Sequence, residues 1–225
     1  MALTNAKYEE IRKQMQPGDV IAFSGKGNIS EIIRWATRSH ISHIGVVFAS
    51  KVAINDEAQQ GVIIDVMESS TLSMAKQDSQ VITGVRRHRL SDYVQYYEGS
   101  IWWLPLSTIA RAEMNFEVFK NFLLHQDEKE YDVPQAIMSA IDLLERIPIL
   151  SSPTANVEDF SKFFCSELVA AAFEKAGLIE SINASEVTPI DLCMFNIYTE
   201  EYYQIKGDRT EIQGYNTVSP EKFGE

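Results

Sequence analysis

"SHIGVVFAS" (Ser42–Ser50) and "FFCSELVAAAFEKAG" (Phe163–Gly177) decide how this chain is read: the first opens an apolar, β-branched run on a histidine, and the second opens a helix on a cysteine. In the second stretch Leu168, Val169, Ala172, Phe173 and Ala176 recur at helical spacing and form one apolar stripe. Gly177 is placed to end that helix in the left-handed conformation, with Leu178 folding back on Phe173. Cys165 then lies at or just before the first turn. There the helix dipole and the backbone N–H groups stabilise a thiolate and are donors for the oxyanion of a tetrahedral intermediate. The competing reading of Cys165 is a small buried hydrophobe. Cys193, in "TPIDLCMF", has apolar neighbours and no helix start beside it, and reads as a core residue.

Four histidines are available to activate a thiol. His88 in "RRHRL" and His125 in "LLHQDEKEY" have the surroundings of surface residues. His40 and His43 in "RSHISH" form a close pair, but no second cluster with ligand spacing follows, which argues against zinc. His43 is the better base, because the strand that follows it would hold the ring at a sheet edge. "GVIIDVME" reads as the partner strand. A simple hairpin pairing Ser50 with Gly61 sets His43 opposite Glu68, on one face, where a carboxylate fixes the imidazole tautomer. Asp65, three residues earlier, must face the other way. The alternative for Glu68 is a solvated strand end.

The rest of the chain frames these elements. "MALTNAKYEEIRKQMQPGD" places Tyr8, Ile11 and Met15 on one face of a short helix; "PGDVIAFSG" reads as a turn and a strand, and "SEIIRWATRS" as a helix capped by Ser30. "VITGVRRHRL" and "IWWLPL" supply strands, while "ARAEMNFEVFKNFLLHQ" and "VPQAIMSAIDLLERI" have helical spacing. "SSPTANVED" is a polar loop, "EEYYQIKG" a closing strand, and the run from Asp208 is a polar tail with little to bury. Strands first, helices next and a closing strand predict one α+β domain over residues 1–225.

With 225 residues and 45% hydrophobic content the chain is long enough for one sizeable core. Its formal charge of −12 repels phosphate backbones and anionic surfaces, which argues against a nucleic-acid partner. Nothing approaches the roughly 18 consecutive apolar residues of a membrane span, and no basic start leads into an apolar export segment. The expectation is a cytoplasmic protein without stable membrane insertion, whose two cysteines are free thiols. "SGKGNIS" lacks the spacing of a phosphate-binding loop and reads as a loop bordering the cleft, with Lys26 available to a substrate carboxylate or simply exposed.

"QPGDVIAFSG", "SHISHIGVV", "VMES" and "FFCSELVAAAFEKAG" together resemble the circularly permuted branch of the NlpC-type papain-like cysteine hydrolases, whose wider clan includes lecithin:retinol acyltransferase-like enzymes. The likeness runs from about Pro17 to the "YYQIKG" strand, with the histidine preceding the cysteine as the permuted order requires. It implies a papain-like α+β fold, with an antiparallel sheet packed against the cysteine helix. It also implies a catalytic set of Cys165, His43 and Glu68, with Ser166 beside the nucleophile as a substrate contact and Tyr131, in "EYDVPQAI", near the cleft. The activity implied is that of a cysteine peptidase or amidase acting on a small peptide or acyl-amide substrate, such as a cell-wall-derived fragment, with no metal or organic cofactor. A lipid acyl hydrolase or acyltransferase with the same triad, or a catalytically silent binding module using the same cleft, are the alternatives.

Overall fold

The computed structural model describes residues 2–26, 28–54, 60–70, 84–127 and 164–223. Their centre is a seven-stranded mixed sheet. In chain order the strands are β1 (Ala2–Asn5), β2 (Val20–Gly25), β3 (His43–Ile54), β4 (Gln60–Ser70), β5 (Gly84–Arg89), β6 (Gly99–Leu104) and β7 (Glu201–Lys206). Their spatial order is β1-β7-β6-β2-β3-β4-β5; β1 runs parallel to β7 and every other pairing is antiparallel. The helices are α1 (Tyr8–Ile11), α2 (Asn28–Ala36), α3 (Leu90–Tyr96), α4 (Thr108–Glu113), α5 (Phe116–Gln126), α6 (Phe164–Lys175) and α7 (Pro189–Met194). The architecture is α+β, as the order of elements predicts.

Strand alternation divides the interior into two layers. Ala22, Ile44, Val46, Met67 and Trp102 face one side, where they pack on Leu168, Val169, Ala172 and Phe173 of α6. Ile21, Phe23, Val47, Val66 and Trp103 face the other, where they pack on Leu90 and Tyr93 of α3 and on Tyr8, Ile11 and Met15. The apolar face expected of the opening segment is therefore real, but only α1 and a 3-10 turn (Arg12–Gln14) are helical, and the first residues pair with β7 instead.

Helix α6 begins at Phe164 and ends as its sequence dictates. Gly177 has φ +73°, its N–H donates to Glu174 O, and the Leu178 N–H donates to Phe173 O. Other boundaries differ from the sequence reading. Helix α2 starts at Asn28, so Ser30 lies inside its first turn and is not its cap. The single helix expected of "ARAEMNFEVFKNFLLHQ" is two, because the Asn115 side chain accepts the Val118 N–H and begins α5 afresh. The segment from Asp208 also buries more than its polarity suggested. Ile212 and Tyr215 are buried, and Tyr215 stacks on Tyr198 with ring centroids 5.7 Å apart. The expected helix in "VPQAIMSAIDLLERI" and the loop "SSPTANVED" lie outside the described residues.

One buried carboxylate ties the start of β2 to the rest of the sheet. Asp19 is closed to solvent and accepts hydrogen bonds from Gln16 N–H (2.8 Å), Trp103 Nε1–H (2.9 Å), Leu106 N–H (2.9 Å) and the Arg111 guanidinium. Asp19→Ala leaves the three N–H donors without this acceptor and the partly buried Arg111 without its counter-charge, its guanidinium keeping the Pro17 carbonyl, and is expected to cost on the order of 3–5 kcal/mol in a denaturant melt.

Candidate active site

His43 opens β3, and Glu68 lies near the end of the neighbouring strand β4. Val46 pairs with Met67 and Val47 with Val66, a register two residues away from the simple hairpin. A bulge between Val47 and Ala49 then shifts the rest by one more. Counting on from Val46 and Met67, Gly45 faces Glu68, and His43 is the next residue on that same face. The two-residue slip preserves the face, so the expected neighbourhood survives although the expected partner does not. Gly45 clears the way. A methyl group there would come within 2.6 Å of Val66 Cγ1, so the strands could not keep this spacing beside Glu68 without a shift of that side chain.

Glu68 Oε2 stands 2.5 Å from His43 Nε2. The other carboxylate oxygen, Oε1, accepts the Tyr93 hydroxyl and lies 3.8 Å from His88 Nε2. Glu68 is 1% exposed and the His43 side chain 12%. An aromatic wall encloses them: the Phe23 ring lies 5.6 Å from His43, 5.1 Å from Tyr93 and 5.3 Å from Tyr97. Asp65 faces the opposite way, as alternation requires, and pairs at 3.1 Å with Lys51.

Helix α6 brings the third member. It lies on the Ile44 and Met67 side of the sheet, and its first turn carries Cys165 into a hydrogen bond with the His43 imidazole at the end of the strand. With Nε2 directed at Glu68, Nδ1 is the ring nitrogen left to meet the thiol. The three side chains form a line: sulfur, imidazole, carboxylate, with Tyr93 behind the carboxylate.

The electrostatics follow from that line. Burial alone would push His43 down, but Cys165 and Glu68, on either side of the ring, raise it to about 10. Burial pushes Glu68 up, yet His43, His88 and the Tyr93 hydroxyl together hold it below the usual carboxylate range. Tyr93 is raised well above an ordinary phenol by burial and by facing that carboxylate, so it remains a donor. A histidine raised from about 6.5 to about 10 contributes stability that is complete below the unfolded value and lost as pH rises through about 10. In paired thermal melts, the Tm gap between wild type and His43→Gln is therefore expected to close as the pH rises through about 10.

The other sequence candidates are placed differently. Ser166 is buried and its hydroxyl donates to Val187 O at 2.6 Å, which anchors α6 to the segment before α7. Lys26 is exposed, and its backbone N–H donates to Glu98 O. Tyr131 lies outside the described residues. Cys193 is buried near the end of α7, a helix begun by Thr188 and Pro189, and burial pushes its thiol far up. Two residues at the cluster escaped the sequence reading. His88 is not an ordinary surface histidine, since β5 sets it beside Glu68 with its side chain 32% exposed. Tyr93 carries no motif; the one available signal was its place in the amphipathic helix that follows β5.

No family model matches the chain, and no curated protein matches it. Among the described residues, no helix is long and apolar enough to cross a membrane.

Proposed function

We propose that the chain is a cysteine hydrolase that cleaves amide bonds, of the permuted papain-like type its motifs resemble. The observation that carries this reading is the hydrogen-bonded line Cys165–His43–Glu68, in which the Tyr93 hydroxyl occupies the far oxygen of the acid. In the acylation step the Cys165 sulfur, its proton held by His43, attacks the amide carbonyl carbon. The carbon–nitrogen bond breaks as His43 passes the proton to the departing amine, leaving a thioester on Cys165. Water then gives a proton to His43 and attacks the thioester. The carbon–sulfur bond breaks, the carboxylic acid leaves and the thiolate–imidazolium pair is restored. Glu68 holds the ring so that one nitrogen always addresses the sulfur, and balances the imidazolium charge in both half-reactions. Cys165 is closed to solvent in the resting structure, so a substrate enters only as the site opens.

The same triad serves an acyl ester or lipid amide equally well, and the acyl group decides between them. Mass spectrometry of the intact protein after exposure to mixed muropeptides and phospholipids is the test. A peptidyl adduct mapped to Cys165 supports the amidase reading, and a fatty-acyl adduct there replaces it with the lipid one. No adduct on Cys165 with either mixture, while the thiol still reacts with an alkylating agent, argues for neither substrate class.

A further inference from the structure

Strand β5 reads "GVRRHR", and the residue it sends to the acid of the triad is its histidine, not one of its arginines. Val66 pairs with His88 and Glu68 with Arg86, so alternation sets Arg86 and His88 on the Glu68 face. Arg86 is the direct neighbour of Glu68 across the strands, yet among the described residues no ion pair joins the two. The diagonal residue takes the contact. His88 Nε2 lies 3.8 Å from Glu68 Oε1, the oxygen that also accepts the Tyr93 hydroxyl. The His88 ring stands edge-on to the Tyr93 ring, with 5.8 Å between centroids and 89° between planes.

That arrangement suits what Glu68 has to do. Oε2 holds the His43 ring, and it keeps that aim only if Oε1 is fixed as well. A guanidinium on Oε1 would set a permanent charge and a two-pronged hydrogen bond against the carboxylate, drawing it away from His43. An imidazole nitrogen at 3.8 Å, farther than a hydrogen bond reaches, steadies the oxygen without capturing it. In the sheet order β5 lies beyond β4 and ends the row, so the partly exposed His88 ring stands between solvent and a carboxylate that is itself closed off.

We propose, on the basis of the hydrolase reading, that His88 is a positioning residue: its ring nitrogen and the Tyr93 hydroxyl together pin Glu68 Oε1, so that Oε2 stays on His43 while the imidazole gains and loses its proton. His88 acts through the acid and touches neither the sulfur nor the substrate. Its loss therefore lowers kcat and leaves KM where it is. The two residues that cap Glu68 come from β5 and from α3, the helix that follows it directly, so one short stretch of chain, His88–Tyr93, supplies the whole support of the acid.

The test is a double-mutant cycle on the full chain. His88→Phe keeps a ring against Tyr93 but carries no nitrogen, and its thermal melt reports folding; should the phenylalanine not be accommodated, His88→Ala carries the same expectations. Iodoacetamide labelling of Cys165 near neutral pH is expected to slow about fivefold in His88→Phe, the worth of one modest polar contact, and by no more than roughly twofold when the change is made in Glu68→Gln. The His43 Nε2–H resonance, assigned by its loss in His43→Gln, should move in His88→Phe and stay in place in Asp65→Asn. On the substrate identified by its acyl adduct, kcat should fall by a similar factor at constant KM. Unslowed labelling with an unmoved His43 resonance overturns the proposal. Equal slowing in the Glu68→Gln background overturns it too, since the effect would then bypass the acid, and so does a raised KM at constant kcat, which would make His88 a substrate contact. Labelling of Cys165 that ignores His43→Gln removes the hydrolase reading instead, and a His43 resonance that still answers to His88 then leaves the clamp on Glu68 standing.

Discussion

Cys165→Ala is expected to abolish turnover, a loss on the order of 10⁶ in kcat, while the protein stays folded. The magnitude follows from the role: in triad hydrolases, removal of the nucleophile alone costs about as much as removal of the whole set, roughly 2 × 10⁶. The fold should tolerate the change, because Cys165 is a small buried side chain at the first turn of α6, and the ending at Gly177 and the apolar stripe on Met67 and Ile44 are untouched. The cost to stability is the loss of one sulfur contact and of the His43 hydrogen bond. Turnover of the substrate identified by its acyl adduct, compared between wild type and variant with matched thermal melts, gives the result. Cys193→Ala is the control, expected to retain activity because nothing in its surroundings activates the thiol.

The second large effect belongs to the acid. Glu68→Gln keeps the shape of the side chain but removes the charge that balances the imidazolium, and its amide presents a donor where an acceptor is needed. The expected loss in kcat is up to about 10⁴, the scale set by orienting carboxylates in hydrolase triads. Tyr93→Phe should lower the rate in the same direction and by less, since it frees one oxygen of Glu68 without removing the charge. Asp65→Asn should leave the rate near wild type, because Asp65 is turned to the opposite face and pairs with Lys51. Activity kept in Glu68→Gln but lost in folded Asp65→Asn would move the role from Glu68 to Asp65.

The parts of this site legible in the sequence are those governed by local periodicity. The stripe after Cys165, the glycine that ends it and the alternation of β3 and β4 depend on neighbours a few residues away, and they place Cys165, His43 and the face of Glu68. What depended on pairing between distant segments was harder to read. Before the bulge after Val47 the register stands two residues from the simple hairpin, and only because that slip is even did Glu68 stay on the face of His43. Gly45 matters because of what lies across the sheet from it, which no local pattern encodes. His88 and Tyr93 reach Glu68 because β5 pairs with β4 and α3 folds back onto that sheet, so their role becomes visible only once the strands are ordered. The segment after Asp208 misled for a related reason: Ile212 and Tyr215 are isolated among polar residues, yet each finds a slot in the layer around Tyr202 and Tyr198.

Competitive alkylation of the two cysteines shows whether His43 activates Cys165, and it needs no knowledge of the substrate. Both thiols are buried in the resting structure, so brief exposure to iodoacetamide near neutral pH, followed by peptide mapping, compares their reactivity from similar starting accessibility. Cys165 is expected to be labelled while Cys193 is not, and His43→Gln to slow labelling of Cys165 by at least tenfold in a folded protein. Labelling of Cys193 first, or a Cys165 rate that does not change when His43 is replaced, would contradict it.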